Sequence, residues 1–427
     1  MAEWKLRSEM PDPEFDPAQY AIELKREVPS EALWDNHRFA RLFSKDAGVY
    51  GPRKGNPRRI GLRRFVERFF FVKTKDGDVQ PFILNDSQRR LLAEIVRMER
   101  AGVPVRLIIL KARQQGFSTF IAALAAWYCL TRKQARACLV AHRKQTSQVI
   151  FGKVRLMIRS MVKQDRKRWT FELLSDTGSQ IVFDEPIFSQ IVVDSAEVAE
   201  PGRGDTVQFL HESESPSWKD ASSKIAALRQ ILPSSLDTYG FCESTAKGDS
   251  NQFAREFKAA WKKSRPGKPI VLGWRAIFFP WYFDQGYRWS SIHRKALPPE
   301  LEQDIRETLD EEEKALLETT YLRRGHGIVH VDFDQLAWRR YALAELCQRD
   351  LNRLHEEYPA TPEEAFIASG ARFFDPLLIK RMRDAVSEPL WRGEITDPEG
   401  DALLVRRLPG SGPDMEVEDA EEVEVVD

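Results

Sequence analysis

Residues 107–119 constrain the fold more than any other stretch of the chain. Leu107, Ile108, Ile109 and Leu110 form an unbroken apolar run, which reads as a buried strand. A short polar turn follows, with Gly116 as its one glycine, and then Ser118–Leu130, rich in strong helix formers. A strand, a turn and a helix N-terminus together make an anion site, because free backbone N–H groups and the helix dipole both favour a phosphate. The strict phosphate-loop pattern G-x-x-x-x-G-K-[ST] is not met: Phe117 stands where the lysine belongs and no glycine opens the loop. Lys111, five residues before Gly116, can bring an ammonium to the same place from the strand's end, and Ser118 stands where a hydroxyl ligates Mg²⁺. The same residues also suit an ordinary packing unit, so the loop alone is not decisive.

Its surroundings are of the same kind. After the strand at 107–110, apolar runs at 137–142, 181–184, 191–194, 207–211 and 239–243 read as strands, the third and fourth of these six as a hairpin. Helical spacing marks 146–161, with Val149, Ile150, Val154, Met157 and Ile158 on one face, then 219–232 and 251–263. Such alternation predicts an α/β fold with a mainly parallel central sheet flanked by helices, and ligands at the carboxyl ends of the strands. Residues 300–383 read as mostly helical, with 311–317 and 335–341 clearest. Residues 1–75 carry mixed signals.

A length of 427 residues suits two or three domains. No apolar run reaches membrane-spanning length and the N-terminus lacks a secretory core, so neither a membrane nor export is expected. Cys129, Cys138, Cys242 and Cys347 lack metal-ligand spacing and are expected as buried thiols in a reducing compartment. The neutral formal charge conceals an asymmetry: residues 414–427 hold eight carboxylates and no base, leaving +8 on the rest. That tail is expected to be disordered. Basic clusters at 53–64 and 153–168 suit a polyanion, though each also suits a solvated surface.

The motif-bearing residues fall mostly at predicted strand ends. Gln88 carries an amide able to read an adenine edge, with Phe82 nearby for stacking. Glu214 is the choice for the carboxylate that orients or deprotonates water. Ser213 occupies the place where a nucleotide-motor strand usually carries aspartate, so metal support is expected from Ser213 through water or from Glu212. Ser244, Thr245 and Ala246 follow the next strand, where hydroxyls can sense a γ-phosphate. Arg203 sits beside Gly204 on a loop, as an arginine finger would.

In combination these motifs resemble the large terminase subunits of tailed bacteriophages, the ATPases that drive DNA into procapsids. Lys111-Ala112-Arg113-Gln114-Gln115-Gly116-Phe117-Ser118 resembles that family's deviant phosphate loop, with a lysine at its start. His211-Glu212-Ser213-Glu214-Ser215-Pro216-Ser217-Trp218 is similar to its His-x-Ser-Glu-x-x-x-Trp acidic motif, which favours Glu214 over Glu212 as the catalytic carboxylate. Glu243-Ser244-Thr245-Ala246-Lys247-Gly248 resembles its coupling motif, and residues 357–370 the segment closing its ATPase half. The likeness spans roughly 82–374.

The resemblance implies a P-loop NTPase of the ASCE type with a mostly helical lid subdomain. The expected division is an N-terminal lid segment (1–75), an ATPase core (76–294), a helical lid and linker (295–395) and an acidic tail (396–427). It implies ATP and Mg²⁺ as cofactors. Gln88, Lys111–Ser118 and Thr119 would hold nucleotide, Arg113 would be the loop arginine, and Arg203 would reach a neighbouring subunit's nucleotide. Implied partners are double-stranded DNA, the procapsid portal protein, the small terminase subunit and further copies of the chain in a ring, with five suspected, in the host cytoplasm. Family members usually continue into an RNase H-like nuclease with clustered aspartates. Residues 328–334 superficially resemble its central strand, but an amphipathic helix follows and Asp334 reads as that helix's N-cap. Motor activity without DNA cutting is therefore expected. The alternatives are a helicase-like nucleic-acid ATPase, which needs aromatic stacking platforms, and a non-catalytic DNA-binding or assembly protein with a decayed nucleotide site.

Overall fold

In a computed structural model of the chain, the described residues are 62–74, 77–164, 173–184, 187–198, 201–202, 206–264, 272–323, 326–366, 393–396 and 404–407. Arg203, the acidic tail and most of the basic cluster at 53–64 lie outside them. The chain divides into two compact units, Met1–Ser369 and Gly370–Asp427.

In the first unit, helix Leu62–Phe69 leads into an antiparallel hairpin of β1 (Phe71–Lys73) and β2 (Val79–Pro81). An eight-stranded sheet then assembles from β3 (Val105–Lys111), β4 (Arg136–Ala141), β5 (Leu173–Asp176), β6 (Gln180–Phe183), β7 (Gln190–Ser195), β8 (Phe209–Ser213), β9 (Tyr239–Ser244) and β10 (Arg275–Phe279). Its order is β10-β3-β9-β8-β4-β7-β6-β5. The six strands from β10 to β7 run parallel; β6 and β5 add antiparallel at one edge. Every residue of β3 is buried, as expected of a strand covered on both faces.

The pleat sorts the side chains into two layers. Val105, Leu107 and Ile109 of β3, Phe209 of β8 and Phe241 of β9 face the largest core, built with helices Asp86–Arg100, Phe117–Thr131 and Lys144–Gln164. Ile108 and Leu110 of β3 and Cys242 of β9 face helix Gln252–Ser264 on the other side. Leu210 packs there with Ile225 and Leu228 of helix Ala221–Gln230. A further cluster of Trp281, Tyr282, Tyr287, Ile305, Leu336, Trp338, Leu354 and Tyr358 forms the core of the helical part. That part includes the hairpin β11 (Thr320–Arg323) and β12 (Gly327–His330). In the second unit, β13 (Gly393–Thr396) pairs with β14 (Leu404–Arg407).

The α/β sheet and the 181–194 hairpin agree with the sequence reading. Several expectations need correction. Val149 is 61% exposed, because the helix turns Ile150, Phe151, Val154, Met157, Ile158 and Met161 inward instead. Leu62, Phe65, Val66 and Phe69, near the end of the 1–75 segment, pack into the sheet's main core. Strand β8 runs two residues later than 207–211, bringing Ser213 to its end. Asp332, not Asp334, caps helix Phe333–Tyr341, accepting from the Gln335 N–H at 3.0 Å. Asp334 instead accepts from the Ser290 N–H at 2.8 Å and pairs with Arg288 at 3.0 Å. All four cysteines are buried and form no disulfide. Burial pushes the Cys129 and Cys138 thiols up to about 12 and Cys347 up to about 11, far from thiolate chemistry at neutral pH.

Candidate nucleotide site

Lys111 ends β3, and helix Phe117–Thr131 begins six residues later. The turn between them is shaped by two left-handed residues, Gln114 at φ 57° and Gly116 at φ 79°. Gly116 is the helix N-cap, and among the described residues no side chain caps this helix. By contrast, helix Asp86–Arg100 has a full capping box from Asn85 and Gln88. The first-turn N–H groups of Phe117, Ser118 and Thr119 therefore stand at an open positive end, as anion binding requires.

Phe117 is buried, its ring 4.4 Å from that of Phe279 on β10. The position that normally holds the lysine thus anchors the helix in the core, and the cation must come from elsewhere. Gln115 is also buried and donates to the Pro280 carbonyl at 2.8 Å. Arg113, with a 52% exposed side chain, pairs with Glu357 at 2.7 Å, and its backbone N–H donates to the Glu357 carbonyl at 2.8 Å. Ala112 is buried among the aromatic residues of the helical part, next to the same joint.

Gln88 is buried beside the turn and bonds to it. Its Nε2 donates to the Gly116 carbonyl at 2.9 Å and its Oε1 accepts from the Asn85 N–H at 3.0 Å. Asn85 in turn donates to the Gln115 carbonyl at 3.1 Å. The amide braces the turn with one donor and one acceptor, and Phe82 is buried in the core. The bracing leaves no room at Gly116, where an added Cβ would lie 2.8 Å from Gln88 Nε2. Gly116→Ala is expected to cost about 1–2 kcal/mol, the left-handed backbone alone accounting for much of it. A lowered midpoint in chemical denaturation checks this; an unchanged midpoint would show the turn to be unstrained.

The charged centre lies where β3, β9 and β8 end side by side. Lys111, only 6% exposed, donates to Glu214 Oε1 at 3.3 Å and lies 3.3 Å from Glu243 Oε2. Burial pulls the lysine's pKa down, but the Glu243 and Glu214 carboxylates more than reverse this and hold it well above its ordinary value. Burial opposes ionisation of Glu243 as well. The Lys111 ammonium, with help from His211 and Ser118, overcomes that and keeps the carboxyl far below the usual range. Glu243 Oε1 accepts from Ser118 Oγ at 2.6 Å and Ser213 Oγ at 2.8 Å, with His211 Nε2 at 3.3 Å. Glu214 follows β8 in a left-handed conformation, φ 56° and ψ 41°. Its N–H donates to the Glu243 carbonyl at 2.9 Å. Its Oε2 accepts from Ser244 Oγ at 3.1 Å, and Lys247 Nζ lies 3.8 Å away.

Lys111, Ser118, Ser213, Glu214 and Ser244 are thus brought together, while Glu212 is not. Alternation along β8 carries Glu212 to the opposite face, where Arg229 binds both its oxygens at 3.1 and 2.9 Å. It cannot support a metal beside Ser118. Thr245 and Ala246 are buried, and Ala246 packs with Phe253 and Phe257 of helix Gln252–Ser264 and with Phe366. The residue missed in the sequence is Glu243. A carboxylate directly after Phe241 and Cys242 in a largely apolar strand demands a buried cation, and that was its legible signal.

The donor set suits Mg²⁺ with a nucleotide. A serine hydroxyl and a buried carboxylate, one oxygen of which faces the Lys111 ammonium, stand beside an open helix N-terminus. Among the described residues no three His, Cys, Asp or Glu side chains form a metal cage. Mg²⁺ needs none, since phosphate and water oxygens complete its shell.

No family model and no curated protein matches this sequence. Among solved structures, the chain is similar to the large terminase ATPase domain of Thermus phage P74-26. Identity is 18% over 49% of this chain and 84% of that one, with a TM-score of 0.34. It is similar to the large terminase of bacteriophage HK97 at 16% identity, over 54% of this chain and 46% of that one, with a TM-score of 0.41. Identity with a large terminase from a thermophilic bacteriophage is 10%, over 55% of this chain and 52% of that one, with a TM-score of 0.35. The chain spans about half the length of the latter two. All three are phage large terminases or parts of them.

Proposed function

We propose that this chain is the ATPase of a phage genome-packaging motor, hydrolysing ATP with Mg²⁺ to move double-stranded DNA into a procapsid. One observation carries the reading: the Lys111 ammonium, the Ser118 hydroxyl and the Glu214 carboxylate converge at the ends of β3 and β8, beside an uncapped helix N-terminus. That set answers what phosphoryl transfer requires, namely charge neutralisation around the phosphates and a carboxylate to orient water. Mg²⁺, when bound, supplies further neutralisation, with Ser118 as its protein hydroxyl.

In this reading the turn from Ala112 to Thr119 wraps the β- and γ-phosphates, Lys111 leaves its two carboxylates to contact them, and Arg113 exchanges Glu357 for phosphate. Ser244, tied to Glu214, relays the state of the site through Thr245 and Ala246 toward helix Gln252–Ser264. Arg203 completes the transition-state charge from an adjacent subunit of a ring, with the portal and small terminase subunit as docking partners in the host cytoplasm. Among the described residues no helix is long and apolar enough to cross a membrane.

The test is ATP turnover with and without blunt double-stranded DNA, together with displacement of a triplex-forming strand from that DNA. Both are expected from the assembled parent. Arg203→Ala subunits should bind ATP yet lose turnover, and mixing them with Glu214→Ala subunits should restore part of it, because mixed interfaces then contain one intact site. Failure to restore argues against a finger in trans. Absence of both binding and turnover in the assembled parent would favour the decayed-site reading.

A further inference from the structure

We infer that Glu243 on β9 serves as the carboxylate that sets Ser118 for Mg²⁺, a place left empty of charge on β8 by Ser213. The inference rests on the nucleotide-hydrolysing reading above and names a positioning residue for that same site.

Three elements meet on this one side chain. Ser118 arrives from the helix N-terminus, Ser213 from the end of β8 and Lys111 from the end of β3, while β9 lies between the two strands. The parallel register sets Glu243 directly beside Ser213. A serine there has no charge to offer. The neighbouring glutamate, longer than an aspartate by one methylene, brings the carboxylate to the serine hydroxyls from the adjacent strand.

The hydrogen bond from Ser118 has a chemical consequence. A hydroxyl has one proton and two lone pairs. With the proton committed to Glu243 at 2.6 Å, Ser118 is left as an acceptor toward the phosphate side, which is what a cation ligand must be. Outer-shell partners of this type fix ligand orientation, and losing one costs about 10–100-fold in metal affinity. Glu243 Oε2 adds a second indication. It is buried, and among the described residues its partner is the Lys111 ammonium, 3.3 Å away. When Lys111 moves to phosphate, that oxygen needs another cation or a cation-bound water.

The experiment measures binding of a fluorescent non-hydrolysable ATP analogue to the full chain, in Mg²⁺ and in chelator, with Mn²⁺ binding followed by electron paramagnetic resonance. The parent should bind more tightly with metal. Glu243→Gln should lose that gain, with Mn²⁺ affinity falling about tenfold or more and metal-free nucleotide affinity changing far less. Adding Ser213→Asp to Glu243→Gln should recover part of the metal affinity, because the charge returns from β8. Glu243→Asp, which keeps the charge but shortens the reach, should be intermediate and guards against a Gln variant that does not fold. Parent-like Mn²⁺ affinity in Glu243→Gln overturns the inference, as does equal loss with and without metal or no recovery from Ser213→Asp. Those results leave ATP binding by the parent intact. A parent that binds no nucleotide under either condition overturns the proposed function itself.

Discussion

Glu214→Gln is expected to lower ATP turnover by about 10²–10⁴-fold, the range for losing a positioned general base, while ATP binding stays within a few-fold of the parent. Glu214 is the carboxylate of the cluster with access to solvent: its side chain is 23% exposed, whereas that of Glu243 is fully buried. With Lys111 seated between the two carboxylates, bulk water reaches the first and not the second. Its backbone is held in the left-handed region, which costs a non-glycine residue roughly 1 kcal/mol. The bond from its N–H to the Glu243 carbonyl and that from the Ser217 N–H to its own carbonyl, at 3.0 Å, keep it there. Strain retained at such a place is characteristic of functional geometry. Glutamine preserves the shape and the hydrogen bond from Ser244 but cannot take a proton. Single-turnover hydrolysis alongside equilibrium ATP binding separates the two effects. Parent-like hydrolysis by Glu214→Gln would remove this residue from the chemistry.

The second large effect concerns Lys111 and stability. Lys111→Met keeps the bulk of the stem but leaves the Glu243 carboxylate buried without its ammonium. Breaking a buried pair from one side costs about 3 kcal/mol or more. ATP binding should also fall sharply, since the cation at the end of β3 is gone. Lys111→Met combined with Glu243→Gln removes both charges and should recover much of the lost stability, though not the binding. Strictly additive losses in the double variant would mean that the two groups do not interact. The pH dependence follows from the carboxyl's depressed pKa. Its contribution is present at neutral pH, above the ordinary carboxyl pKa of about 4.3, and is lost as pH falls below that value. The parent should therefore lose more stability between neutral and acid pH than Glu243→Gln does. Equal acid sensitivity would show that Glu243 is not held ionised.

Much of this protein is legible along its chain. Apolar runs separated by amphipathic segments determined an α/β sheet, because a strand buried on both faces cannot be polar and a helix covering it must carry one apolar face. The motifs placed Lys111, Ser118, Glu214 and Ser244 at the ends of elements. Tertiary structure alone decided which of these meet. Lys111 and Glu214 are far apart in sequence, and only the strand order β3-β9-β8 makes their side chains neighbours. Glu212 and Glu214 look equivalent along the chain, yet the pleat sends Glu212 to Arg229 on the far face. Gln88 reads along the chain as a base-recognising amide, and only the fold shows that it also braces the turn through Asn85 and Gly116. Glu243 was the costliest omission. Its apolar setting signals that a buried cation is needed, but local patterns carry no record of which groups, from three other elements, converge on it. Sequence determines which side chains are offered at each strand end; the lateral packing of strands determines which charges share one buried space, where Coulomb interactions are strongest.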